Sequence, residues 1–300
     1  MVGENISSKK DLRGSEPIFI VGTGRSGSTI FQKVVAEHPK LSWFSYLLDM
    51  YPNKPYLNRI LMRVMDIPGV RDILYKKVNP GEYYNFWDYY FSGFSTSCRD
   101  LESKDVAKNV KKDIREVFSQ IPTKKRDRIL VKLTGWPRIG FLNEIFPDAK
   151  FIHFVRDGRA VSHSLLNVGF WEGWDGSSNW RWGELTEWER KKWEDHEKSF
   201  VGLAAIEWRK LIKAVEKSKD ELRDAQYIEI KYENFVSNPK KILKNVTNFC
   251  NLEYLESFNN RIEKYNLENR NYKWKKNFTT KQKKVLMDIL NDYLKKYKYI

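Results

Sequence analysis

Pro17-Ile18-Phe19-Ile20-Val21 is a short apolar run that stops at a glycine, the pattern of a strand buried on both faces of a parallel sheet. Behind it the period changes. Ile30, Phe31, Val34 and Val35 fall at i, i+1, i+4 and i+5, the stripe of an amphipathic helix, and this predicts a helix to about His38 that Pro39 ends. Strand and helix then alternate again. Arg128–Leu133 precedes a helix over Ile139–Phe146, and Lys150–Val155 precedes one that begins near Asp157-Gly158-Arg159-Ala160. A helix over Phe200–Glu216 leads to a strand at Gln226–Ile230 and a helix from about Pro239 to Phe249. Such alternation predicts an α/β fold with a parallel sheet flanked by helices on both sides. Ligands then belong at the carboxyl ends of the strands.

Residues 40–127 interrupt the alternation. Helical patterns over Tyr56–Met65 and Ser103–Ser119 flank the aromatic stretch Tyr83-Tyr84-Asn85-Phe86-Trp87-Asp88-Tyr89-Tyr90, which predicts mostly helix and loop. This segment is expected to be a helical substrate-side insertion, with a second one at about residues 166–199. Residues 1–16 are polar and charged without an apolar signal core, and are expected to be a flexible leader to a single domain over 17–300. No stretch approaches the ~18 uninterrupted apolar residues of a membrane span.

The formal charge of +15 favours an anionic partner: nucleic acid, an anionic membrane surface or a phosphorylated ligand. Lys273-Trp274-Lys275-Lys276 and Lys281-Gln282-Lys283-Lys284 contribute to it, and each also reads as a solvated face. No RNA-recognition, KH or helix-turn-helix pattern accompanies them, so nucleic acid is not the expected partner. Cys98 and Cys250 form neither a disulfide framework nor a zinc-type pair, which suits a reducing, cytoplasmic setting. His38, His153, His163 and His196 are scattered, with no metal-ligand spacing. His153 has apolar neighbours and is expected in the core; His163 is expected to be incidental.

Gly22-Thr23-Gly24-Arg25-Ser26-Gly27-Ser28-Thr29 sits between the first strand and the first helix with the GxxxxG spacing of a phosphate-binding loop. Glycine lets the backbone approach an oxyanion closely. Backbone N–H groups at a helix N-terminus then bind it. Nucleotide triphosphatases follow the second glycine with Lys, but here Ser28 holds that place and Arg25 is the loop's cation. The missing lysine speaks against ATP or GTP hydrolysis.

Pro17–Thr29 resembles the 5′-phosphosulfate loop of sulfotransferases that use PAPS (3′-phosphoadenosine 5′-phosphosulfate), in the branch with Arg in the loop. Arg156 followed eight residues later by Ser164 resembles the 3′-phosphate motif of the same family. Phe146–Ile152 and Lys231–Pro239 are also similar to family segments, and Trp274–Thr279 is similar to the basic loop that closes over the nucleotide. The resemblance implies transfer of a sulfuryl group from PAPS to a hydroxyl or amine acceptor, with release of adenosine 3′,5′-bisphosphate (PAP) and no metal required. It places Gly24, Arg25, Ser26, Gly27, Ser28 and Thr29 on the phosphosulfate, Arg156 and Ser164 on the 3′-phosphate, and Tyr232 against the adenine. Arg270, Lys273 and Lys275 are the candidates from the basic loop. A small-metabolite P-loop kinase and a non-catalytic PAPS-binding relative stay open as alternatives.

Sulfuryl transfer is catalysed mainly by positioning and by stabilising charge on the transferring and leaving groups. Arg25 suits that role, and Lys132 is a second candidate for contact with the transferring group. The acceptor also calls for a general base. Thr134 stands where cytosolic members of the family carry a histidine, and Ser45 and Tyr46 where the tyrosylprotein branch carries a glutamate. Asp49, the nearest carboxylate, is the candidate base; an ordinary surface or capping role fits it equally. The acceptor is expected to be a small molecule, carbohydrate or lipid, since Trp136, Trp171 and Trp174 offer flat aromatic faces. A structural aromatic cluster explains the same tryptophans.

Overall fold

The structure, a computed structural model, describes residues 16–74, 78–265 and 267–300. All but the last residue of the expected leader lies outside them. Five strands form one parallel sheet: β1 (Ile18–Gly22), β2 (Leu41–Trp43), β3 (Arg128–Thr134), β4 (Lys150–Val155) and β5 (Tyr227–Lys231). Their order is β2-β3-β1-β4-β5, so the chain goes from β1 to the β2 edge, returns inward through β3, and then crosses β1 to β4 and β5. The crevice where that order reverses, at the carboxyl end of β1, is where such sheets bind ligands.

β1 explains why its sequence is continuously apolar. Ile18 and Ile20 point into one cluster with Phe31, Val34 and Phe235, while Phe19 and Val21 point into another with Phe44, Phe86 and Trp87. Successive side chains of a strand face opposite ways, and both faces here are covered. Each such burial contributes about 1.5–3 kcal/mol relative to exposure.

The helices that matter for the site are α1 (Ser28–Val35), α2 (Tyr84–Tyr90), α3 (Lys108–Gln120), α4 (Ile139–Ile145), α5 (Gly158–Leu165), α6 (Phe200–Lys219), α7 (Tyr232–Ser237), α8 (Pro239–Phe249), α9 (Tyr272–Asn277) and α10 (Thr280–Lys296). Several differ from expectation in their bounds: α6 runs on to Lys219 rather than ending at Glu216, and α4 stops at Ile145 rather than Phe146. α1 ends at Val35 rather than His38, and turn bonds such as His38 N to Val35 O lead the chain into β2. The helix expected from Ser103 begins only at Lys108. A Glu102/Asp105 capping box closes a short 3₁₀ turn first, and Val106 is extended. β2 itself was not expected, because three residues are too few to display a period.

Insertion 40–127 is tied to the sheet by aromatic packing. Trp87 stacks on Phe94 at 4.9 Å, and Phe44 meets Phe86 edge-on at 4.7 Å. Phe19 of β1 joins them to the sheet, its ring centroid 6.5 Å from that of Trp87 and stacked 5.6 Å from that of Phe151 of β4. No helix among the described residues is long and apolar enough to cross a membrane.

On the other side, α5, α6 and α10 pack around Trp136, Trp171, Trp182 and Trp208. Glu207 of α6 is buried there and accepts a hydrogen bond from Trp171 Nε1 at 2.6 Å. Burial pushes its carboxyl up to about 7, against a usual value of 4.5. The folded protein therefore holds this proton more tightly than the unfolded chain does. The contribution to stability is complete below about pH 4.5 and is lost as pH rises through about 7. The loss amounts to about 3 kcal/mol. Melting temperature followed from pH 4 to pH 8 is expected to fall over that window in the wild type, and Glu207→Gln is expected to flatten the fall.

Candidate active site

The carboxyl ends of β1, β3 and β4 open on a cavity of 770 Å³. The loop after β1 forms one wall. A Cβ on Gly22 would come within 2.4 Å of the Phe154 carbonyl oxygen, so the strand can pass β4 this closely only as glycine. Arg25 and Gly27 both have positive φ, 62° and 90°, which turns the loop back on itself. No side chain caps the N-terminus of α1, which leaves its first N–H groups available to an anion. Gly24, Arg25, Gly27, Ser28 and Thr29 line the cavity. The hydroxyls of Thr23 and Ser26 are buried with no hydrogen-bond partner among the described residues. Buried donors are rarely left so, but neither residue is in the cavity lining.

The second wall comes from the end of β4. Arg156 leaves the strand there, and the Asp157 side chain caps α5 by accepting from Arg159 N. Arg156 Nη1 donates to the Arg25 carbonyl oxygen at 3.2 Å and Nε to Asn271 Oδ1 at 2.8 Å. Its guanidinium lies 4.3 Å from the centroid of the Tyr232 ring. Burial pulls its pKa down from the usual arginine value, so a further anionic partner would be welcome. Ser164, two turns into α5, accepts from Arg25 Nε at 3.0 Å. Arg25, Arg156, Ser164 and Tyr232, widely separated in sequence, thus meet at one wall of the cavity.

Tyr232 ties the third wall to the first two. Its hydroxyl donates to the Glu268 carbonyl at 2.7 Å and accepts from Arg270 N at 3.3 Å. Arg270 and Lys273 line the cavity beside it, but Lys275 does not; it lies exposed, 5.9 Å from the Trp274 ring centroid. The same tyrosine ring lies where a Cβ on Gly27 would fall, at 2.8 Å. Gly27→Ala is therefore expected to cost about 1–2 kcal/mol in backbone strain alone and to push the ring off Arg156. Thermal unfolding and nucleotide titration of this variant should both show a loss.

The floor carries a charged pair. Lys132, on the β3 face shared with Leu130, donates to Thr29 Oγ1 at 2.9 Å and lies 2.8 Å from Glu82 Oε1. Thr134 at the end of β3 donates through its hydroxyl to Glu82 Oε2 at 2.7 Å. Burial raises the Glu82 carboxyl. The Lys132 charge and hydrogen bonds from Lys132, Thr134 and Tyr84 outweigh this and hold it below the usual carboxylate value. Sequence reasoning missed Glu82. It stands in a loop beside an aromatic stretch, and no period or spacing marks it.

Other candidates sit elsewhere. Asp49 is not in the lining of the cavity; its carboxylate accepts from Asn85 N at 3.0 Å and Asn85 Nδ2 at 2.9 Å, at the start of α2. Trp136 and Trp171, expected at the acceptor, are core residues whose indole N–H groups are satisfied by the Arg181 carbonyl and by Glu207. Trp174 is partly exposed and lines a second cavity of 570 Å³ with Phe200 and Phe278. His163, expected to be incidental, lines both cavities, and its Nε2 pairs with Asn277 Nδ2 at 3.0 Å. His153 is fully buried as expected, 2.9 Å from the Tyr227 hydroxyl.

The model of the sulfotransferase family matches residues 17–256. The chain belongs to the sulfotransferase family. Among solved structures it is similar to a sulfotransferase from Mycobacterium avium, at 12% identity and TM-score 0.60, over 94% of this chain and 76% of that one. A mouse sulfotransferase complexed with PAP aligns at 15% identity and TM-score 0.48, over 96% of this chain and 90% of that one. No curated protein matches this sulfotransferase in sequence. The first of these likenesses shows the fold alone: a parallel sheet flanked by helices.

Proposed function

We propose that this sulfotransferase uses PAPS as donor and an alcohol (or amine) as acceptor, releasing PAP. One observation carries the reading: Arg156 and Ser164 converge on the loop Gly24–Thr29 through Arg25, around a single cavity. Two anion-binding elements at one cavity suit a nucleotide with phosphates at both its 3′ and 5′ ends. In this reading the amides of the loop, with Ser28 and Thr29, hold the 5′-phosphosulfate, and Arg156 and Ser164 hold the 3′-phosphate. Tyr232 packs against the base, while Arg270 and Lys273 approach from the open side. Bound there, the nucleotide supplies the activated sulfuryl group. Arg25 and Lys132 supply positive charge where negative charge builds up on the leaving phosphate, a role cations perform well in a secluded site.

The acceptor enters at the floor, beside Lys132, Thr134 and Phe170. Phe170 is 73% exposed, and Trp174 and Phe200 form an aromatic edge nearby with ring centroids 5.0 Å apart. Such faces suit a sugar, a phenol or a lipid-like alcohol. A cytoplasmic setting goes with the two free thiols, Cys98 and Cys250.

Two measurements test the reading. Calorimetric titration is expected to give tight binding of PAP and weak binding of magnesium-ATP. Incubation with ³⁵S-labelled PAPS and a panel of alcohols, phenols and glycosides is expected to label at least one acceptor. Preference for magnesium-ATP would instead identify a kinase, and PAP binding without transfer a non-catalytic relative.

A further inference from the structure

We propose that Glu82 is the general base that takes the proton from the acceptor hydroxyl, and that Lys132 gates it by leaving Glu82 for the bound anion. This rests on the donor assignment above. Glu82 and Lys132 both line the cavity, so neither is a pair sealed in the core. Lys132 touches the phosphate loop at Thr29 with the same ammonium that touches Glu82. A group attacking an anion held by that loop must therefore arrive within one side chain of the Glu82 carboxylate. Thr134 holds the other carboxylate oxygen through Oγ1, and its backbone N–H adds a bond to the same oxygen at 3.2 Å.

The groups that face Glu82 are Lys132 and Thr134 from β3, Tyr84 from α2 and Arg138 beyond β3. With Lys132 in place the carboxylate is ionised, the form a base needs, but it is also weakly basic. When the ammonium turns to the incoming anion, that restraint is removed and burial makes the carboxylate more basic. The acceptor oxygen then forms its bond to sulfur as the bond from sulfur to the 5′-phosphate oxygen breaks. The electron pair of the broken bond stays on the phosphate. The hydroxyl proton passes to a Glu82 oxygen and from there to water.

Glu82→Gln tests both halves in the full-length protein. Removing the carboxylate frees Lys132, so calorimetry is expected to show PAP bound several-fold more tightly than by the wild type. Turnover of labelled PAPS, with 2-naphthol, decyl glucoside and water itself as acceptors, is expected to fall roughly 10²- to 10⁴-fold. In Glu82→Ala, added formate is expected to restore part of that turnover, which a purely structural glutamate would not permit. Unchanged or weakened PAP binding in Glu82→Gln overturns the gate. Turnover within threefold of the wild type, or an alanine variant deaf to formate, overturns the base. A wild-type protein that neither binds PAP nor transfers label overturns the donor assignment instead.

Discussion

Arg156→Ala is expected to weaken PAP binding by roughly 10²- to 10³-fold while leaving binding of adenosine 5′-phosphosulfate nearly unchanged. The guanidinium is buried, planar and already oriented by Asn271 Oδ1, the Arg25 carbonyl and the Tyr232 ring. An arginine fixed in this way has lost its freedom before the ligand arrives, and its contact with a phosphate is charge-assisted. Truncating one partner of such a buried pair costs about 2–5 kcal/mol, and each 1.4 kcal/mol is about tenfold in affinity. Adenosine 5′-phosphosulfate lacks the 3′-phosphate, so the comparison isolates that one contact from any general damage to the cavity. Arg156→Lys is expected to recover only part of the loss, because a point charge cannot stack on Tyr232 and donate to Asn271 at once. Equal loss for both ligands would mean that Arg156 serves the 5′ end.

The sheet was largely legible before the structure. β1, β3 and β4 are mainly apolar runs with glycine or charge at their ends, and burial on both faces is what such runs require; β5 is a partly buried edge strand that alternates Ile with Glu and Lys. β2 was not legible, because its three residues gain strand geometry only from pairing with β3. The convergence of the loop with Arg156 and Ser164 could be anticipated because glycine spacing and an Arg-to-Ser interval lie within contiguous segments. The catalytic half could not. Glu82 becomes functional only because Lys132 and Thr134, some fifty residues later, arrive beside it on another element. Asp49 was the nearest carboxylate in sequence, but its bonds to Asn85 hold it outside the cavity lining. The tryptophans were ambiguous for a different reason. Composition does not tell an indole that stacks on a sugar from one whose N–H is satisfied in the core, as that of Trp171 is by Glu207.

Lys132→Met is expected to lower kcat roughly 10³-fold with less than a tenfold change in PAP affinity. The ammonium is buried and tethered to both Thr29 and Glu82, so its charge acts in a secluded cavity rather than in water. Losing one preorganised donor to a developing anion costs roughly 10²- to 10³-fold in rate. The titration of Glu82 changes as well. In the wild type the Lys132 charge outweighs burial and holds the carboxyl low; without it, burial prevails and the carboxyl rises above its usual value. The acid limb of the kcat/KM profile, which reports the free enzyme, should therefore move to higher pH in Lys132→Met. Stability should change sign in the same way. In the wild type Glu82 contributes stability that is present above the unfolded carboxylate value and lost as pH falls through the lower folded one. In Lys132→Met the contribution is instead lost as pH rises, because an unpaired carboxylate must ionise inside the cavity wall. Lys132→Met/Glu82→Gln removes that charge, since replacing both partners of a buried pair is often neutral where removing one is not. The double variant is expected to regain the melting temperature of the wild type and none of its turnover, which separates what the pair does for the fold from what it does for transfer.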